Sequence, residues 1–449
     1  MKNKKIIYSI PILILIHIVI GMIIFLMPFL AKIYTLLIIA VGIVYIIRKK
    51  NNNDEALIAS AYVVSAEVLL RMTEGNFLNE LAKYAVMLFL LIGMIYKGFS
   101  KNSTPIFVYL FLLMPSVFLA TSTLDLSTNV RKAITFNMIG PVCLAISAIY
   151  SYQREVSQQR LGHLLQTMAY PIVATLTYMF LYAPNVRDVV TGTSSNFQTS
   201  GGFGPNQVST ILGFGIFLFF TKILFHSKNK LLLVINVILF LVVTFRGIVT
   251  FSRGGIITGV LMVFILLIKL FFVAKNRGKQ KLMGIFTVLI CSLLCIWLYS
   301  SYQTGGMIEN RYANEGPTGL KKEDRLGGRE KIAKTELQMF LDNPIFGIGV
   351  GKNKEYREEL TGEVAASHNE ITRMLAEHGM FGIIALLILL STPVILSLDN
   401  KQHLYMFSFV IFWLLTINHA AMRLAAPAFI YALSLLKIHS FEKPTLHRE

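Results

Sequence analysis

Three short strings put ionisable chemistry into a chain that is otherwise oily. Arg253 stands in SRGG, Arg329 in GRE and His368 in SHN. A guanidinium stays charged and grips phosphate oxygens through paired N–H groups. A neutral imidazole takes a proton from a hydroxyl. Arginines with a histidine therefore suit a reaction that expels an anionic leaving group while activating a hydroxyl. No aspartate or glutamate cluster with metal-ligand spacing accompanies them, and the three cysteines form no CxxC pair. The chemistry thus reads as metal-independent, with no cofactor.

The elements that must position these groups can be read around them. Ser367 and Glu370 have the spacing of a capping box, which predicts Ser367 as N-cap and His368 as the first helical residue. The positive end of the helix then keeps the ring neutral. A helix from His368 through Arg373, Glu377 and His378 to Leu398 would run about 46 Å, so its first turns stand above the hydrocarbon. Asn369 and Glu377 are candidate supporting residues on it, and Arg325 is another just before Arg329. After Arg329, the residues Ala333, Leu337, Phe340 and Leu341 form one apolar stripe. This predicts an amphipathic helix against the membrane or the mouth of a bundle, stopped by Asn343-Pro344. Gly347, Gly349 and Gly351 then predict a tight turn presenting backbone N–H groups. Their spacing and surroundings are wrong for a dinucleotide fingerprint.

Upstream, Arg246 and Arg253 would share a face if their helix were continuous. Gly254 and Gly255 predict a break or tight turn instead, and either way both guanidiniums fall at or just below the outer interface. Arg246 is therefore a candidate supporting residue. The 184–205 segment, rich in Gly, Ser and Thr, reads as an irregular loop that leads into Asn206, a further candidate, and Gln207. Glu67 and Arg71, four residues apart, predict an ion pair. Cys143, Cys291 and Cys295 lie in apolar runs and are expected to be small buried hydrophobes.

Of 449 residues, 55% are hydrophobic and only 15% charged, with a mean hydropathy of +0.62. This composition predicts an all-α, polytopic membrane bundle. About 14 apolar runs are long enough to cross a hydrocarbon core of roughly 30 Å. The second, third and thirteenth are short, which lowers the count to about 12 if one lies flat or re-enters. A formal charge of +18 would fit nucleic acid, but the Lys and Arg residues gather in alternate loops. Arg48 to Lys50, Lys97 and Lys101, Arg154 and Arg160, and Lys275 to Lys281 mark those loops. That is the positive-inside pattern, with both termini cytoplasmic, and it argues against nucleic acid. The first apolar run has no small-residue cleavage site and reads as an uncleaved span. The chain divides into spans over 1–301, a large extracytoplasmic loop over 302–370, and spans with a cytoplasmic tail over 371–449. No internal repeat is visible, unlike the inverted-repeat transporters.

In their order and spacing, SRGG, GRE, NPIFGIGVG, SHN and LAEHGMFG resemble the O-antigen ligase/polymerase superfamily. The motifs cover roughly residues 200–390. The resemblance implies a multi-pass inner-membrane enzyme that moves a glycan from a polyprenyl-diphosphate carrier in the lipid bilayer. It implies diphosphate contacts for Arg253 and Arg329, a catalytic role for His368, and a matching glutamate and glycines in Glu377, Gly379 and Gly382. Ile332 and Ala333 stand where members often carry Trp, and Ala366 where ligases often carry a second His. The implied acceptor is a lipid-A core for a ligase or a growing repeat-unit chain for a polymerase, and a third class would glycosylate protein hydroxyls. A transporter or flippase for lipid-linked glycans is the alternative of another kind.

Overall fold

The computed structural model describes residues 2–227, 229–321, 329–362 and 367–439, and these are mainly helix. Arg325 lies outside the described residues, as do Gly328 and Ala366. Backbone polar groups in lipid must be satisfied within the segment, which is why apolar runs of this kind become helices. The first half comprises α1 (Lys2–Leu26), α2 (Leu30–Lys49), α3 (Glu55–Met72), α4 (Leu81–Lys97), α5 (Thr104–Thr123) and α6 (Val130–Ser151). A short strand β1 (Glu155–Ser157) precedes α7 (Gln158–Tyr182) and the small α8 (Val186–Val189). Then come α9 (Pro205–Phe225), α10 (Lys230–Ile248), α11 (Arg253–Val273) and α12 (Asn276–Gln303). The large loop holds α13 (Met307–Ala313), α14 (Arg329–Asp342) and α15 (Asn353–Thr361). The chain continues through α16 (Glu370–Asp399), α17 (Met406–His419), α18 (Ala426–Leu433) and β2 (Lys437–His439).

Among the described residues, 9 helices are long and apolar enough to cross a membrane, and two shorter apolar ones join them, Ile10–Leu26 and Met406–His419. Each of the expected apolar runs holds a helix, but the shortest is the last. α18 has 8 residues, about 12 Å of helix, and all of them are buried in protein. The second run, expected to be short, is a full helix of 20 residues.

α9 is the centre of the bundle, buried almost throughout, and α11 lies hard against it. A Cβ on Gly213 would come 1.9 Å from the Gly255 carbonyl oxygen, so only glycine admits this approach. At the edge, α12 buries only Leu289, Ile296 and Ser300. Cys291 and Cys295 are exposed on it, contrary to expectation, and only Cys143 is buried. The edge of a bundle faces lipid, where a thiol is as much at home as in a core.

The two ends of the bundle differ. At one, β1 pairs in parallel with β2, a small exception to the all-α expectation. At the other lie the connections around residues 183–204, 304–369 and 420–425. The 183–204 segment is more ordered than its composition implies: Asn196 N–H donates to the Thr250 carbonyl at 3.0 Å and Thr199 Oγ1 to that of Val249 at 2.5 Å. The 420–425 turn is recessed into the bundle. Its Ala425 N–H donates to buried Glu67 at 2.7 Å, more than a turn below the end of α3. Met422 packs on Gly140, well over two turns into α6. Glu67 also holds Arg71 at 2.8 Å, the ion pair that their spacing predicts.

Candidate functional site

α10 ends at Ile248, the chain turns through 249–252 with Phe251 at φ 60°, and α11 begins on Arg253 itself. The break therefore precedes the arginine. Gly254 and Gly255 lie inside the first turn of α11, where they make room for the His419 ring and the α9 backbone. This separates the two arginines that a continuous helix would have aligned. Arg246 is buried, donates to the Ala183 carbonyl at 3.0 Å and lies 5.1 Å from the Phe180 ring centre. It is not part of the group around Arg253. Asn206 plays a supporting part of a different kind, accepting from Ser252 Oγ at 2.8 Å and so fixing the turn that carries Arg253.

Arg253 donates to Asn314 Oδ1 at 2.7 Å and to the Arg311 carbonyl at 3.3 Å. Arg311 in turn donates to the Phe251 carbonyl at 3.0 Å and to Ser195 Oγ at 3.4 Å, tying α13 to the turn and to the 183–204 connection. Arg329, the first residue of α14, is half-buried beside them. Burial pushes the Arg329 guanidinium below its ordinary range, and the charges of Arg423 and Arg253 push it further. Arg311 is lowered in the same way, first by burial and then by Arg253 and Arg329. Among the described residues, the charged side chains acting on these two are other guanidiniums. Four arginines thus converge from α11, α13, α14 and the recessed turn. Such a group calls for an anion with several oxygens.

Arg423 links this group to His368. Its Nη2 donates to the Ser367 carbonyl at 3.3 Å, and its own carbonyl accepts from Arg71 at 3.0 Å. Ser367 is not the N-cap. Asn369 is, accepting from the Ile371 N–H at 2.9 Å, and α16 starts at Glu370. Glu370 is taken by Arg373 and does not bond back to a cap. His368 therefore stands before the helix on a half-buried turn. Ser367 Oγ closes that turn onto the Asn369 carbonyl at 2.9 Å, and Asn369 Nδ2 anchors it to Asn418 at 2.7 Å.

Residues 237–387 match the family model described as O-antigen ligase. This segment is similar to the O-antigen ligase family. No curated protein matches it. The matched segment contains Arg253, Arg311, Arg329 and His368, whereas Arg423 lies beyond it.

Within the matched segment, the remaining motifs hold the frame. α16 is not continuous: Gly379, at φ 60° and ψ −139°, breaks it. The turn after Asn343-Pro344 docks into that break. Ile348 N–H donates to the Ala376 carbonyl at 2.9 Å, Gly349 N–H to that of Glu377 at 3.2 Å, and Met380 N–H to that of Pro344 at 2.8 Å. The glycine turn does present N–H groups, but they are consumed: those of Gly349 and Gly351 by Glu377 of α16, that of Val350 by the Ser116 carbonyl of α5, and that of Gly347 by the Asn343 carbonyl. Glu377 is buried, pairs with Arg373 at 2.5 Å and accepts from Gly351 N–H at 3.1 Å. Its role is to clasp the turn.

α14 forms as the stripe predicts, with a different inner face. Leu337 and Leu341 stay 48% and 61% exposed. Glu336 and Met339 point inward. Buried Glu336 pairs with Arg357 of α15 at 2.7 Å, accepts from Asn353 at 3.1 Å, and accepts from Thr372 of α16. One carboxylate thus fixes the helix that starts at Arg329 relative to the helix that follows His368. Among the described residues, no three His, Cys, Asp or Glu side chains gather as a metal site.

Proposed function

We propose that the protein transfers a glycan from a polyprenyl-diphosphate carrier to a hydroxyl of an acceptor glycan, at the extracytoplasmic face of the inner membrane. The observation that carries this reading is the convergence of Arg253, Arg311, Arg329 and Arg423 beside the His368 turn. The acceptor oxygen attacks the anomeric carbon, and the bond from that carbon to the diphosphate oxygen breaks. Its electron pair leaves with the carrier, and the hydroxyl proton passes to His368. Fixed guanidiniums in a poorly hydrated setting offset the charge that develops on the leaving group. A single displacement inverts the anomeric carbon, and arginines supply the countercharge that a metal ion gives elsewhere. In a ligase the acceptor is a lipid-A core, and in a polymerase a growing repeat chain. The Lys- and Arg-rich strand-bearing end is the cytoplasmic one in this reading, with both termini there.

The test is transfer by purified protein, using lipid-linked glycan extracted from host cells that lack the chain. Release of glycan from its carrier only when an acceptor is added, and its loss in Arg253→Ala, supports the reading. Movement of intact carrier-linked glycan across a vesicle, with the anomeric bond unbroken, would replace it with the flippase. In cells, deletion separates the subclasses: long chains accumulate on carrier without a ligase, single units without a polymerase.

A further inference from the structure

A cleft of about 570 Å³ opens at the loop-bearing end, beside the arginine group. Its size falls within the ~300–1,000 Å³ of small-molecule sites. One wall is the connection between α5 and α6 together with the first turns of α6, and the other is α15 with the start of α16. Its floor is the recessed turn, with Met422 against Gly140. Ser367 and Arg423 line it, so the cleft and the arginine group meet at the turn that carries His368.

The two spaces differ in charge. Charges of both signs line the cleft and nearly balance: Glu80 pairs with Lys83 at 2.5 Å, Asp125 and Glu355 with Lys352 at 2.9 Å, and Glu370 and Glu377 with Arg373, while Glu358, Lys132 and Lys354 add further charge. The arginine group demands an anion, whereas the cleft presents nearly balanced charges and hydrogen-bonding groups. Phe136, 58% exposed on the α6 wall, adds an aromatic face. Polar edges with one aromatic platform suit a ring that carries hydroxyls on its rim and C–H groups on its faces.

We propose that this cleft binds the uncharged saccharide end of the acceptor and delivers its hydroxyl to His368. The inference rests on the glycan-transfer reading and deepens it. It separates the site into an anion-binding half for the donor and a neutral half for the acceptor, joined at Arg423 and Ser367.

The experiment measures KM for donor and acceptor separately, with lipid-linked glycan extract as donor. Two acceptor probes are used: deacylated core oligosaccharide, and the repeat glycan freed from its carrier by mild acid. Phe136→Ala removes the aromatic face, and Ser127→Trp fills the mouth from an exposed position. Phe136→Ala is expected to raise the acceptor KM by about five- to tenfold, with donor KM unchanged. Ser127→Trp is expected to block acceptor use while donor binding persists. The probe that saturates identifies the acceptor as core or repeat unit. Unchanged acceptor KM in both variants, while Arg329→Ala still lowers turnover, overturns the cleft assignment and leaves glycan transfer standing. A rise in donor KM alone overturns it too, by placing the donor glycan in the cleft. Normal turnover in Arg329→Ala removes the reading on which the inference rests.

Discussion

A guanidinium crowded by other guanidiniums is held in a state that an anion relieves, and this gives the residue-scale predictions their direction. Arg329 feels Arg423 and Arg253 and makes no ion pair among the described residues, so its loss should weaken donor engagement. Arg329→Ala is expected to lower turnover roughly 10- to 150-fold, the equivalent of one charged hydrogen bond of about 1.5–3 kcal/mol. Arg329→Lys should lose much of the same activity, because an ammonium is a point donor where the site uses a fork. Transfer assays at matched protein levels check both, and near-wild-type rates in the alanine variant would reduce Arg329 to a surface residue. His368→Ala should bind donor normally and lose most transfer, read from donor binding and single-turnover rates on the same preparation. An equal loss of binding would make His368 a donor ligand instead of a base. Arg253, Arg329 and His368 were legible in the sequence because each stands in a short polar string between apolar runs. Arg311 and Arg423 were not, since RYA and MRL carry no local pattern. A signal for Arg423 did exist: it is an arginine inside an apolar run, where charge is expensive and usually functional.

The apolar runs located the membrane helices, but the clasp between elements did not follow from them. Nothing in LAEHGMFG announces that Gly379 breaks α16, because the apolar pattern runs straight through it. The break exists to receive the turn after Pro344, and that partner is distant in sequence. The capping box misled for a related reason: Ser367 and Asn369 both cap well, and the choice fell to Asn369, with Arg373 claiming Glu370. The stripe on α14 was read from apolar residues, while its inner face turns on a buried glutamate. Gly379 offers the sharpest test at this scale. Its φ of 60° with ψ of −139° is a conformation that L side chains rarely adopt, and a Cβ would sit 2.6 Å from the Ile345 carbonyl oxygen and 2.7 Å from Gly347 N. Backbone strain of this kind costs on the order of 1–3 kcal/mol before the clash is counted. Gly379→Ala should therefore lower the Tm and speed proteolysis within 343–362, with turnover reduced at saturating donor. Wild-type proteolysis and turnover together would mean that the clasp is dispensable.

At the scale of the whole molecule, what decides the chemistry is which end of the bundle faces the cytoplasm. The two ends are chemically distinct. The strand-bearing end gathers Lys97, Arg154, Arg160 and Lys437, the last three beside Asp54, Glu55 and Glu155, while the loop-bearing end carries an arginine group recessed into the bundle. In the proposed reading the positive-inside rule puts the loop-bearing end outside, and labelling tests it. Asn353 looks like a natural probe position in the sequence, yet it is 4% exposed and bonded to Glu336, so a cysteine there would report burial and not sidedness. Thr318, exposed in the large loop, and Lys101, exposed at the opposite end, are better placed. In a chain with Cys143, Cys291 and Cys295 changed to alanine, Thr318→Cys should react with a membrane-impermeant maleimide in cells whose inner membrane is intact. Lys101→Cys should react only after that membrane is opened. The reverse pattern would turn the arginine group toward the cytoplasm and remove the extracytoplasmic transfer reading, whatever the arginines bind.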